Sequence, residues 1–296
     1  MSCEVKPSVS PSTTYSHTDA NLLMAHVQKH FGAISGIGQT QLSTGRAIDI
    51  LVVTPPSRKH LGKIFSSQAS PSAGEETLLI TFGAGACSMN VPKDSELPPR
   101  AEYLIRLPAD WNAQADDEQN AWPVHLLMNI ASQPETEQSY NAWGHTFSFL
   151  HGSPFADNTR LCAAMLTGMN DREGQCRLSD GEAVTFYEVI PLYAEEMTFA
   201  AEHDPVALID EFIRYNIPRT VAVNRPNVAI LANEKNALLK KYQAMSEAEL
   251  RHMMQKTETL SREEQAAIAE VLQEKAGIGQ RALGMMKGML SAVFKR

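Results

Sequence analysis

The 296-residue chain reads as α+β, a mixed sheet packed with helices and followed by a C-terminal α-helical extension. Two observations carry that reading. Short runs of alternating apolar and polar residues are interspersed irregularly with helical stripes and never settle into a βαβ repeat, which argues for a layered α+β domain. From residue 233 onward strand formers thin out, and Ala, Glu, Lys, Leu and Met dominate. The expected division is a disordered leader over 1–18, rich in Ser, Thr and Pro, a folded domain over 19–228, and a helical extension over 229–296.

Taken in order, Asp19 can cap a helix whose Leu22, Leu23, His26, Val27, His30 and Phe31 share one stripe, with Gly32 ending it. Ala47–Thr54 and Thr77–Phe82 read as strands, the first running into Pro55-Pro56 and the second into Gly83 and Gly85. Ala101–Leu107 alternates, Tyr103, Ile105 and Leu107 against Glu102, Leu104 and Arg106, as a half-buried strand does. Pro123 suits the first turn of a helix carrying Val124, Leu127, Met128 and Ala131, and Pro134 stops it. Strands resume at Trp143–Phe149 and Val184–Ile190, both alternating. Asp204 caps a helix opened by Pro205, with Leu208, Ile209, Phe212 and Ile213 inward and Pro218 beyond its end. Thr220–Val223 is the expected last strand.

In the extension, Ser246-x-x-Glu249 and Ser261-x-x-Glu264 are capping boxes, each closing two orphan backbone donors at a helix start. Gly279–Arg296 places Ala282, Met286, Met289 and Val293 on one stripe, with Lys287, Ser291 and Lys295 opposite. Such a cationic amphipathic helix packs on its own chain or in a homodimer, docks on a partner, or lies on a membrane, the last being the least expected.

Between these elements stand several uncommon short motifs. They are Glu102-Tyr103, Trp122-Pro123-Val124-His125-Leu126-Leu127, Trp143-Gly144-His145-Thr146, Pro154-Phe155-Ala156-Asp157-Asn158-Thr159, and the run from Phe186 to Met197. In order and spacing, over Ile48 to Val228, this series resembles the Suppressor of fused (SUFU) domain family. The resemblance implies a module that holds another protein. Animal members look like adaptors that clamp an extended peptide, partly as an added β-strand; similar bacterial domains are associated with polymorphic toxin systems as inferred immunity proteins. With one such region in the chain, the bacterial single-domain type is the expected match. Strand addition needs an exposed sheet edge with side-chain pockets beside it. The strands around Glu102-Tyr103, Trp143–Thr146 and Phe186–Tyr193 are the candidates, which gives Glu102, Tyr103, Trp143, His145, Thr146, Tyr187, Tyr193, Glu195 and Glu196 as candidate partner contacts. Aromatics at such positions are also ordinary core residues.

Charge divides the chain. Residues 233–296 hold 11 Lys and Arg against 8 Asp and Glu, a net +3, which against the whole-chain −8 leaves −11 in residues 1–232. That balance argues against nucleic acid, whose phosphates need clustered cations, and suits a basic protein such as a toxin domain; it also serves plain solubility. Cys3, Cys87, Cys162 and Cys176 lie far apart with no C-x-x-C, as in a reduced cytoplasmic protein, and no signal peptide or membrane span is apparent.

Enzyme readings fail on what is missing. Gly83-x-Gly85-x-x-Ser88 follows a strand as a dinucleotide turn does, but Ser replaces the third Gly and Pro92 follows too soon for a crossover helix. Cys87 or Ser88 with His125 or His145 as base would make a small hydrolase or transferase, yet no nucleophile elbow surrounds them, and both histidines sit among apolar positions as core histidines do. His26 and His30 have zinc-ligand spacing without a third ligand. Glu195 and Glu196 are adjacent and would point apart as solvated helix-start charges. No cofactor or metal is expected.

Overall fold

The protein is described from a computed structural model covering residues 15–55, 76–113, 115, 117–149, 152–170 and 172–276. The leader apart from its last residues and the amphipathic segment Gly279–Arg296 lie outside the described residues. The chain divides into two compact units, 1–226 and 227–296.

The first unit is built on one mixed sheet. Its strands are β1 (Ala33–Gln41), β2 (Ala47–Thr54), β3 (Glu76–Phe82), β4 (Arg100–Pro108), β5 (Thr146–Ser148), β6 (Ala163–Thr167), β7 (Gln175–Arg177) and β8 (Ala183–Leu192). They run in the order β1-β2-β3-β4-β8-β6-β5, with β7 also on β8. Every pairing is antiparallel except β4 with β8.

Because side chains alternate across a strand, each strand feeds two cores. On one face Ile50, Leu79, Ile105 and Leu107 pack with Trp122, Leu127 and Ile130 of helix α2 (Glu118–Thr136). On the other, Leu51, Val53, Leu78, Ile80 and Leu104 pack with Leu23, Val27 and Phe31 at helix α1 (His17–His30). Each fully buried Leu or Phe contributes about 1.5–3 kcal/mol relative to exposure. This layering corrects the half-buried reading of Ala101–Leu107: β4 is central, so Glu102 and Leu104 are as buried as Tyr103 and Ile105.

Other local readings shift as well. Helix α1 starts at His17 with Ser16 as its N-cap, the Ser16 Oγ accepting from the Asp19 N–H at 3.1 Å. Gly32 ends it as expected, at φ +131°, and a Cβ there would strike the Thr54 carbonyl at 2.2 Å. Helix α2 is capped by Asp117 and contains both Pro123 and Pro134, so it begins a turn before the expected start at Pro123 and runs past the expected stop at Pro134. A proline removes the i→i−4 bond, so Pro134 frees the Ile130 carbonyl, and the Asn141 side-chain amide fills the gap at 2.9 Å. Strand Trp143–Phe149 shrinks to the three residues of β5.

Helix α3 (Ala194–His203) and helix α4 (Pro205–Arg214) follow β8; Asp204 caps α4 as read, its carboxylate accepting from the Val206 N–H at 2.7 Å. Thr220–Val223 is not a strand.

The second unit is helical: α5 (Val228–Gln243), α6 (Glu247–Met254) and α7 (262–276). Both capping boxes form, Ser246 with Glu249 and Ser261 with Glu264. Its core joins Tyr242, Leu250, Ile268 and Val271, and the Tyr242 hydroxyl donates to Glu264 at 2.7 Å.

Candidate functional site

The parallel pair β4 and β8 is the one place where the sheet departs from antiparallel neighbours, and its strands part company. Their register runs from Arg100↔Val184 to Leu104↔Glu188 and stops. Beyond Glu188 the partner of β8 is β6, while the Arg106 carbonyl of β4 accepts instead from the Val221 N–H at 2.9 Å. Residues 219–221 thus bridge the fork at the carboxyl ends of two parallel strands, the position where α/β sheets open crevices for ligands.

Charge pins this bridge. Glu188 on β8 is fully buried and accepts from Arg106 Nε at 3.1 Å and from Arg219, whose Nε lies at 3.2 Å. Arg106 Nη1 reaches Glu76 at 2.9 Å, and the Thr220 hydroxyl donates to the same carboxylate at 3.1 Å. Burial works to lower the Arg106 pKa, but Glu188 and Glu76 outweigh it and hold the guanidinium above its ordinary value. Two carboxylates and two guanidiniums leave the cluster neutral, which is the condition for tolerating buried charge. Glu188 carries a readable signal, a carboxylate in alternation with Val184, Phe186 and Ile190; its partners are remote in sequence.

Beside the fork lies a groove of about 330 Å³. Ile190 and Pro191 of β8 form one side, Ile209, Phe212 and Ile213 of α4 another, and Ile217 through Ala222 a third, with Trp143 at the mouth. Trp143 and Ile213 remain 44% and 52% exposed. The indole rests on Gly168, where a Cβ would sit 3.2 Å from the ring. Helix α4 is therefore apolar on two sides: Leu208 and Phe212 are buried, whereas Ile209 and Ile213, expected inward, line the groove. Arg225 underlies it, closed off by Glu196 at 2.6 Å and by the rings of Tyr193 and Phe212, each 5.0 Å away.

The Gly83–Cys87 segment is a different construction. Gly83 takes φ +117°, and the N–H groups of Gly83, Ala84 and Gly85 all point at one carboxylate, Glu102, at 2.8, 3.3 and 3.1 Å. Thr81 and Tyr15 add hydroxyl donors at 2.5 and 2.7 Å. The carbonyls of the same turn are taken by Arg46, on Gly83 and Ala84, and by Arg100, on Gly85 and Ala86. Burial pushes the Glu102 carboxyl up, against the pull of the Thr81 and Tyr15 hydroxyls and the Gly83 and Gly85 amides. The amides that a dinucleotide phosphate would need are consumed by an internal carboxylate, so the turn is structural.

Of the nine candidate partner contacts, Glu102, Tyr103, Tyr187, Tyr193 and Glu196 are buried. The strands around Glu102-Tyr103 and Phe186–Tyr193 are interior to the sheet order, β4 between β3 and β8 and β8 between β4 and β6, although beyond Glu188 β8 is paired on its β6 side alone. Glu196 is not a solvated charge but the buried partner of Arg225, while its neighbour Glu195 is exposed. Trp143, His145 and Thr146 stay accessible, at or just before the short edge strand β5, and Glu195 is exposed at the start of α3.

Cys87 and Ser88 line a cavity with Arg46, Glu135 and Tyr103, and among the described residues no histidine lines it. His125 is exposed on α2 rather than in the core. His145 is half-buried against Tyr140, and burial lowers its pKa. His26 and His30, expected to border the buried stripe of α1, are in ring contact at 4.5 Å, and His26 stacks on Phe186 at 5.2 Å and hydrogen-bonds the Glu173 carbonyl at 3.0 Å. Among the described residues no group of three or more His, Cys, Asp or Glu is placed to hold a metal, and no helix is long and apolar enough to cross a membrane.

Comparison with known proteins places this architecture. The sequence model of the family described as Suppressor of fused protein (SUFU) matches residues 45–226, more than half of the chain. The chain belongs to the SUFU family. An uncharacterized protein of Ureaplasma parvum serovar 3 is 27% identical over 149 residues, covering 50% of this chain and 72% of that protein. The SUFU fold itself is shared with the crystal structure of the Sufu–Fu complex, at a TM-score of 0.53 and 11% identity, over 73% of this chain and 95% of the matched one. Drosophila Suppressor of Fused is matched at a TM-score of 0.46 and 13% identity, over 65% of this chain and 46% of that one.

Proposed function

We propose that the SUFU domain of this chain is a non-enzymatic protein-binding module, and that its biological role is that of an immunity-type protein that captures and neutralises a cognate toxin. The observation that carries protein binding is the groove at the β4–β8 fork, where Trp143 and Ile213 stand exposed over an apolar lining. Burying such residues is a large driving force for association, and rigid aromatics beside aliphatic pockets are where binding energy concentrates. A solved relative is a complex of Sufu with Fu, which fits a binding role for the fold. The toxin role rests on the association of single-domain bacterial relatives with toxin systems.

The test is a tagged pulldown from the native host, followed by purification of whatever is retained. Binding is then measured by calorimetry with the full chain and with Trp143→Ala and Ile213→Ala, each expected to weaken it by about tenfold or more. Immunity requires that the captured protein arrest growth when expressed alone and that co-expression of the chain restore it. A retained protein that is harmless alone would instead mark a regulatory adaptor. Turnover of a substrate abolished by changing Cys87 or Ser88 would replace both readings with an enzyme.

A further inference from the structure

From net charge alone the partner is expected to be basic, but the charged residues that line the groove have the opposite sign. Its lining contains no Asp, Glu or Lys, and its two charged residues are Arg219 and Arg225. Arg225 is closed off: its side chain is 5% exposed and held at Glu196 by two contacts of 2.6 Å. Arg219 is open, with 56% of its side chain exposed while Nε and Nη2 hold Glu188.

We propose, resting on the groove being the binding site, that it takes a partner segment presenting an aliphatic or aromatic side chain next to a carboxylate. The apolar side chain enters among Ile190, Ile209, Ile213 and Trp143, and the carboxylate pairs with the open edge of Arg219. A guanidinium already oriented by Glu188 loses little freedom on accepting a second carboxylate, and Arg is the residue suited to such shared, planar pairing. The network behind it, Glu76 and Glu188 against Arg106 and Arg219, carries no net charge, so selection rests on local contact, where the Arg219 guanidinium is open and the Glu188 carboxylate is buried. A lysine in the same place finds no carboxylate in the lining and faces Arg219, a built-in penalty against basic segments. The acidic surface of the body then acts on approach, and the groove on final selection.

Three synthetic peptides test this, acetyl-Leu-Leu-X-Leu-Leu-amide with X as Glu, Gln or Lys, titrated into the full ¹⁵N-labelled chain. The indole N–H of Trp143, assigned with Trp143→Phe, reports binding. The Glu peptide is expected to bind about tenfold to a hundredfold tighter than the Lys peptide. The preference should shrink as salt rises, vanish in Arg219→Gln and survive in Arg219→Lys; the lysine variant and the salt series guard against an Arg219→Gln chain that misfolds at Glu188. Equal binding of all three peptides at Trp143 would overturn the charge preference and leave the groove as a binding site. Tighter binding of the Lys peptide would overturn it outright. No shift at Trp143 with any peptide would reject the groove itself, and the proposed function with it as a groove-borne activity.

Discussion

At the residue scale, Glu102 shows how a polar side chain becomes structural. It organises the turn after β3 by accepting from three backbone N–H groups and two hydroxyls, while Arg46 and Arg100 take the facing carbonyls. Removing one donor should cost less than corrupting the acceptor. Tyr15→Phe is expected to lower stability by about 1.5 kcal/mol and Glu102→Gln by about 3 kcal/mol, since the amide turns a donor toward N–H groups that then lack a partner. Urea titrations read both; equal midpoints for Glu102→Gln and the parent chain would remove Glu102 from this role. Glu195 and Glu196 mark the limit of reading at this scale. Glu196 sits at the N3 position of α3 and accepts from the Tyr193 N–H at 3.1 Å, but it is Arg225, far along the chain, that makes it a buried ion-pair partner while its neighbour Glu195 stays exposed.

At the element scale, β2, β3, β8 and the capped start of α4 lie where alternation and capping chemistry put them, because those signals are local. Helix α2 was legible only in its middle. Its two prolines read as start and stop, and the helix runs through both because the lost bond at Pro134 is replaced from outside by Asn141. That side chain also donates to the Tyr103 hydroxyl at 3.0 Å. Asn141→Ala should therefore destabilise the domain by about 1–3 kcal/mol through the orphaned Ile130 carbonyl, with hydrogen exchange rising first in the last turns of α2. Unchanged protection across 130–136 would contradict it. The segment Thr220–Val223 reads as a strand; in the fold, residues 219–221 make one backbone bond to β4, and Arg219 and Thr220 spend their side chains on the carboxylates of Glu188 and Glu76.

At the scale of the whole molecule, acidity acts on the first unit through its histidines. Burial lowers the pKa of His26 on α1 and of His145 near β5, so folding favours both neutral rings. A depressed folded pKa means that the stabilisation is complete above the unfolded value of about 6.5 and is lost as pH falls below it. Glu102, raised by burial, titrates with the opposite sign, so the informative quantity is a difference. The gap in urea midpoint between the parent chain and His26→Gln should be largest near neutrality and close on acidification. A gap that widens toward acid would reverse the assignment.

The amino-acid sequence alone determined the α+β class, the family, most strand positions and the caps at Asp204, Ser246 and Ser261, because periodicity, capping and motif order are properties of neighbours along the chain. Tertiary structure alone decided that Glu102, Tyr103, Tyr187, Tyr193 and Glu196 are interior and that Trp143 and Ile213 face a groove. It also joined Glu76, Arg106, Glu188 and Arg219 into one cluster. Burial and ion pairing depend on which strands become neighbours. Here the pairing of β4 with β8 lets Arg106 meet Glu188, 82 residues away, and the bridge carries Thr220 to Glu76, 144 residues away, a choice no local pattern records.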